Sequence, residues 1–347
     1  MRKIEKLSPT ALHQWERNRE EFFMTRLAEN RETRDPQSPA MAVGSAFDAF
    51  VKCSLYYHLF GNEGPNHIDR DGNDTGIGVY NLQRLFEDQV DNPEIRPWAW
   101  EAGKYAFDCY VTWGNYNELL QELQTSEEDP QFEFSLTAEI GGVPLQGKPD
   151  LWYKRVVQVI YDWKVMGFCS KSANSPKKFY RTCRDCWGMD RGKPTRGGGQ
   201  PKAHKGFDEV DIHGHKVGGH WLHDVDKKWA DQISTYAWLS GLEVGSEDII
   251  VGLDQLACKP SPDPEANRMP LIRVAQHRCQ LSGEWQKSLL ERYQKCWAAI
   301  QSGHIFDDVS REESDARCEV LDMEQPEDAG QDELWSMVHE ETRTFRG

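Results

Sequence analysis

The chain has 347 residues, 57 Asp and Glu against 41 Lys and Arg, and a formal net charge of -16, which excludes a protein that simply coats nucleic acid through a surplus of Lys and Arg. That length buries a full core, best read as one large domain with insertions, and no run approaches the roughly 18 to 20 apolar residues that cross a membrane. Nine cysteines, an odd number scattered from Cys53 to Cys318, do not form the framework of a small secreted scaffold, and the charged opening MRKIEKLSPTALHQWERN lacks the apolar stretch of a secretory leader, so a cytoplasmic protein without membrane partners is expected.

Ser8 and Pro9 read as a helix cap and first turn, and Leu12, Trp15, Phe22, Phe23 and Leu27 recur at near-helical spacing, predicting one or two helices over 8–30. A polar loop to residue 40 leads to a helix over 42–60, with Val43, Phe47, Phe50, Val51 and Leu55 as its apolar stripe. The Gly, Asn and Asp of 61–75 predict a surface loop. Helices over 76–92 and 97–124 follow. Their aromatics, Trp98 to Tyr116, have the spacing of a core face rather than of a base-stacking platform. The period then drops to 2: Phe132, Phe134, Leu136 and Ala138 alternate, Gly141-Gly142 marks a turn, and runs over 145–153 and 156–165 complete three consecutive antiparallel strands. A helix over 226–242, strands over 248–258 and 270–279, and a helix over 282–301 end the ordered pattern. These elements alternate as in an α/β (α+β) chain, with a mixed central sheet flanked by helices.

The informative string is GKPDLWYKRVVQVIYDWKV. Side chains alternate along a strand, so Val156, Gln158, Ile160, Asp162 and Lys164 share one face, Asp162 and Lys164 about 6 to 7 Å apart at roughly 3.3 Å per residue. Asp150 lies near the start of the partner strand. The neighbours are apolar, and charges in such a central strand are tolerable only when paired or metal-bound. One reading is an ordinary buried ion pair. The other is two hard carboxylate ligands for Mg²⁺ (or Mn²⁺) beside a lysine that steadies a developing negative charge.

The string resembles the PD-(D/E)XK nuclease superfamily, reading here as Pro149-Asp150, then Asp162-Trp163-Lys164. Gln232 and Tyr236, four apart on the following helix, resemble the Gln-x-x-x-Tyr element of its RecB-like and lambda-exonuclease-like branch. Gly44-Ser45-Ala46-Phe47-Asp48 resembles that branch's Gly-x-x-x-His segment, with Asp48 in the histidine's place. The Ser-Pro-x-x-Leu-x-x-Trp opening also resembles its first helices. The resemblance covers about residues 8–300 and implies a restriction-endonuclease-like core within a 1–300 nuclease domain: a helical part over 1–128, and core sheet and helix over 129–300. It implies Asp150, Asp162, Lys164, Gln232 and Tyr236 as catalytic residues, with Asp48, Asp150, Asp162 and the Trp163 backbone carbonyl as metal ligands. The implied activity is Mg²⁺-dependent DNA cleavage, exonucleolytic, in recombination, repair or phage DNA metabolism, in a bacterial or phage-infected cell, with a recombination or single-strand-annealing protein as a further partner. The alternatives are a sequence-specific endonuclease and a catalytically inactive nucleic-acid-binding module of the same fold.

Between Lys164 and Gln232 lie 67 residues, more than a strand-to-helix connection requires. From Lys164 to Lys228 there are 14 Lys or Arg against 7 Asp or Glu, whereas residues 307–347 hold 14 acids against 4 basic residues. A basic middle and an acidic C-terminal segment (307–347) fit a chain that offers one surface to a polyanion. Within the insertion at 166–228, Cys183-x-x-Cys186 with Cys169 and His204 has zinc-ligand spacing, and a DNA-contacting loop without metal is the competing reading.

Overall fold

A computed structural model describes residues 2–29, 36–62, 64–68, 72–132, 134–166, 176–186, 189–190, 193–194, 202–203, 208–259 and 271–323. α1 (Pro9–Arg17) starts as expected: the Ser8 side chain accepts the Ala11 N–H, and Pro9 sits in the first turn, where its missing N–H costs nothing. α2 (Arg19–Phe22) runs into a π-helical turn over Phe23–Leu27. α3 (Pro39–Phe60) repeats the Ser-Pro start at Ser38.

The predicted loop over 61–75 instead holds part of a hairpin, β1 (Asn66–Ile68) against β2 (Asp74–Gly78). Its side chains are mostly exposed, and Asn66 bonds Asp74 across it, so there was no buried face to imprint an alternation. The helix expected over 76–92 shrinks to α4 (Leu82–Gln89). α5 (Arg96–Trp113) and α6 (Tyr116–Gln124) form where expected, and Tyr105, Tyr110 and Tyr116 are buried core.

The strand region departs from three consecutive antiparallel strands. After β3 (Gln131–Phe132), β4 (Leu136–Ile140) and β5 (Val143–Gly147) form a separate hairpin; β6 (Leu151–Arg155) and β7 (Val157–Met166) then form another, inside the main sheet. The run expected over 145–153 therefore breaks at Lys148-Pro149-Asp150, where proline removes a ladder donor. From the predicted insertion, β8 (Arg181–Cys186), β9 (Met189–Asp190), β10 (Lys193–Pro194), β11 (Lys202–Ala203), β12 (Glu209–Ile212) and β13 (His215–Gly218) follow. Next come α7 (Leu222–Val225), α8 (Lys227–Leu239), β14 (Ile249–Lys259), β15 (Leu271–Cys279), α9 (Gly283–Ser302) and α10 (Arg311–Met323).

The main sheet has seven strands in the order β11-β8-β15-β14-β7-β6-β3, antiparallel throughout except for β7 and β14. It is the mixed, helix-flanked sheet of an α/β chain that the sequence predicted. β7 is central, and its period-2 pattern splits it cleanly. Val159, Tyr161 and Trp163 pack with α3, α5 and α6, while Ile160 packs with Trp229, Ile233 and Ala237 of α8. Behind α8, a further core joins α1, the β4–β5 hairpin and α9, and Cys318 and Leu321 of α10 pack on it. α10 is the described part of the acidic C-terminal segment. No helix among the described residues is long and apolar enough to cross a membrane.

Candidate active site

β6 begins only at Leu151, which pairs with Tyr161, so no β6 residue stands opposite Trp163. Asp150 fills that place: its Oδ2 accepts the Trp163 N–H at 3.3 Å. The early end of one strand thus leaves a gap beside the central strand, with Asp150 at its mouth and Asp162 and Lys164 along its floor.

These side chains belong to one chain of contacts. Asp162, 2% exposed, has its Oδ2 2.6 Å from Lys164 Nζ, and Lys164 Nζ donates to Gln232 Oε1 at 3.1 Å. Gln232 Nε2 in turn donates to the Tyr236 hydroxyl at 2.7 Å. At the other end Asp162 neighbours Asp150 electrostatically. Asp150 Oδ1 accepts from Lys52 Nζ at 3.3 Å, and Lys52 Nζ donates to Asp48 Oδ2 at 2.6 Å. Gln89 Nε2 donates to the same Asp48 oxygen at 2.9 Å.

Burial raises the Asp162 carboxyl to about 8, the Asp150 charge adding to the effect and Lys164 opposing it. Asp150 moves the other way. Burial would raise it too, but Lys52 and Lys164, with the hydrogen bond from the Trp163 N–H, outweigh that and hold it below the usual carboxylate range. Two neighbouring carboxylates repel each other's charge, and the cations beside Asp150 favour ionisation there over the more deeply buried Asp162. Lys164 is raised because Asp162 and Asp150 outweigh its own burial. Burial pushes the Tyr236 phenol up to about 12.

The cluster opens into a cleft of about 820 Å³. Asp48, Asp150 and Asp162 line part of it, and Lys148, Lys164 and Lys228 place positive charge around them. His13 of α1 also lines it, its Nε2 2.8 Å from buried Asp231 of α8. Behind β7, Trp163 Nε1 donates to the Tyr110 hydroxyl at 3.2 Å, and both Tyr110 and Tyr161 hydroxyls donate to fully buried Asp254. Arg278 lies 4.5 Å over the Tyr161 ring. The strand carrying Asp162 and Lys164 is thus clamped by polar bonds on its far face.

Every expected residue of the Asp48, Asp150, Asp162, Lys164, Gln232 and Tyr236 set falls in this one constellation, with Trp163 between its two halves. Sequence reasoning missed Lys52, Gln89, Lys148 and His13. Lys52 had a readable signal: a second charge one turn after Asp48 on an otherwise apolar stretch, FDAFVK, where burial demands a partner. The zinc expectation falls outside the described residues, which include neither Cys169 nor His204 nor the side chains of Cys183 and Cys186. Among the described residues, no group of three or more His, Cys, Asp or Glu side chains is gathered so as to hold a metal ion. The acidic centre is the Asp150–Asp162 pair, with Asp48 beyond Lys52.

Fold and site together define a mixed α/β chain with a carboxylate and lysine cluster at the break of its central sheet. No family matches the sequence, and no curated protein matches it. Among solved structures, a crystal structure of a candidate exonuclease from Eubacterium rectale is similar, with a TM-score of 0.43 and 13% identity, covering 86% of this chain and 80% of that one. At that distance only the chain's own side chains can carry a functional reading.

Proposed function

We propose that this chain is a divalent-metal-dependent nuclease that hydrolyses phosphodiester bonds of DNA, acting exonucleolytically in recombination, repair or phage DNA metabolism. The observation that carries the reading is the pairing of a buried carboxylate, Asp162, with the half-buried carboxylate of Asp150 at one end of an open cleft, Lys164 beside them. Two neighbouring carboxylates cannot both ionise without a proton or a cation between them, and their oxygens are the hard donors that Mg²⁺ or Mn²⁺ takes. The residues fit such an ion: Asp150 and Asp162 would hold it. The Trp163 carbonyl would join them, since a strand residue's N–H and C=O leave on the same side and the Trp163 N–H already faces Asp150. When bound, the ion would acidify a water and polarise the phosphodiester.

The protein's own groups supply the rest. Lys164 has three N–H donors. Gln232 takes one and Asp162 pairs with the ammonium, leaving capacity for a phosphate oxygen or attacking water in the cleft. Gln232, fixed by Tyr236, sets the direction of that ammonium. Lys148 and Lys228 favour a polyanionic backbone.

End-labelled linear and closed circular DNA, incubated with Mg²⁺ and separately with EDTA, tests the reading. Mg²⁺-dependent loss of label from linear DNA, with circles spared, is expected. DNA bound but uncut with Mg²⁺ or Mn²⁺ would instead indicate a binding module of the same fold.

A further inference from the structure

The acidic cluster contains a cation of its own. Lys52 is 1% exposed at the wall of the cleft, and its ammonium lies between Asp48 Oδ2 and Asp150 Oδ1 at 2.6 and 3.3 Å. It projects from α3, a 22-residue helix packed closely on α5: a Cβ added to Gly103 would lie 2.4 Å from Ala46 Cβ. A lysine stem on so fixed a helix cannot carry its ammonium elsewhere without burying the charge unpaired, at a cost of several kcal/mol.

The charge balance of the site follows. Within the set in direct contact, three carboxylates, Asp48, Asp150 and Asp162, face two ammoniums, Lys52 and Lys164, leaving one negative charge when all are ionised, with Lys148 and Lys228 as further positive charge along the cleft. A single divalent ion with one phosphodiester brings that to neutrality. A second divalent ion would leave two uncompensated positive charges in a buried setting, and it would need the Asp48 and Asp150 oxygens that Lys52 already occupies. Asp48 Oδ2 is further taken by Gln89 Nε2 at 2.9 Å.

The geometry points to a one-metal site in which Lys52 permanently takes the place of a second divalent cation, so that Asp48 acts as a positioning residue for Lys52 and not as a direct ligand of the ion. This rests on the nuclease reading above. It assigns to Lys52 the part of neutralising the Asp150 side of the cleft, a part that the family resemblance implied for a metal held by Asp48.

Counting Mn²⁺ bound per chain, by electron paramagnetic resonance of free Mn²⁺ during titration of the whole protein without DNA, tests it. Wild type should bind one ion. Lys52→Met, of similar length and uncharged, should bind two, and its first should bind roughly tenfold or more tighter because a neighbouring positive charge is gone. Asp48→Asn should keep one ion, since Asp48 is not a ligand. Two ions in wild type overturn the inference while leaving the nuclease reading intact, as does a single ion in folded Lys52→Met. No ion in wild type removes the nuclease reading itself, and this inference with it. The wild-type and Asp48→Asn counts decide the matter even if Lys52→Met does not fold.

Discussion

Gly147 ends β5 immediately before the Lys148-Pro149-Asp150 break, and it is there because of Tyr236. A Cβ at this position would lie 2.7 and 2.8 Å from Cδ1 and Cε1 of the Tyr236 ring and 2.9 Å from Cδ1 of Leu239, all closer than real Cβ atoms approach. Gly147→Ala therefore forces the ring to move, and overpacking of this kind costs about 1 to 3 kcal/mol. The moved hydroxyl leaves Gln232 Nε2, now 2.7 Å away, and Gln232 is what orients Lys164. Losing one such bond is worth about 1 kcal/mol, so cleavage should slow about fivefold, a barrier change of about 1.4 kcal/mol being tenfold. The assay is single-turnover cleavage of end-labelled DNA with Mg²⁺, beside chemical denaturation of the same preparations. On a Tyr236→Ala background the added methyl loses its two nearest clashes and should cost less than about 1 kcal/mol. An equal cost in both backgrounds, or an unchanged rate and stability in Gly147→Ala alone, would refute the reasoning.

Other consequences concern stability. Burial lifts Asp254 to about 6, above the roughly 3.9 of an unfolded aspartate. Between those pH values the folded chain therefore holds a proton that the unfolded chain has released, and Asp254's contribution falls as pH rises through that window, by up to about 3 kcal/mol. Asp254→Asn removes this slope, so its stability relative to wild type should improve between about pH 4 and 7. A gap that stays constant across denaturation curves at these pH values contradicts the assignment. Asp231 is a buried knot, bonded to His13 at 2.8 Å, Trp285 Nε1 at 2.9 Å and Arg292 at 3.0 and 2.8 Å. Asp231→Ala should destabilise by about 3 kcal/mol, near the lower end for a broken buried pair, because Arg292 keeps Glu16 at 2.6 Å. A loss under about 1 kcal/mol in the same measurement would mean that the knot is not what fastens α1 to α8.

The parts of this molecule legible in its sequence are those that are buried. Val157 to Val165 is mostly apolar because both faces of β7 meet core, and the two charges that interrupt the run, Asp162 and Lys164, stand out against it. Gln232 and Tyr236 were readable because four residues make about one helical turn, which sets the Tyr236 hydroxyl against Gln232 at the wall of the cleft. What escaped was set by contacts distant in sequence. The need for glycine at 147 depends on the ring of Tyr236, far downstream in the chain, and the gap beside Trp163 depends on where Pro149 stops the ladder. The β1–β2 hairpin has little buried face, so its polar residues read as loop. β8 came from a basic stretch read as an insertion because its neighbour in the sheet, β15, lies far downstream. Lys52 was passed over because a lysine on a helix is ordinarily solvated; here the fold closes over it and turns it into part of the site.

The most direct measurement compares wild type with Asp162→Ala, both shown folded by circular dichroism, for cleavage of end-labelled linear DNA in Mg²⁺. The account predicts cleavage by wild type that EDTA abolishes, and none by the variant. Undiminished cleavage by Asp162→Ala would contradict it, because Asp162 would then not be needed to hold the metal at the floor of the cleft.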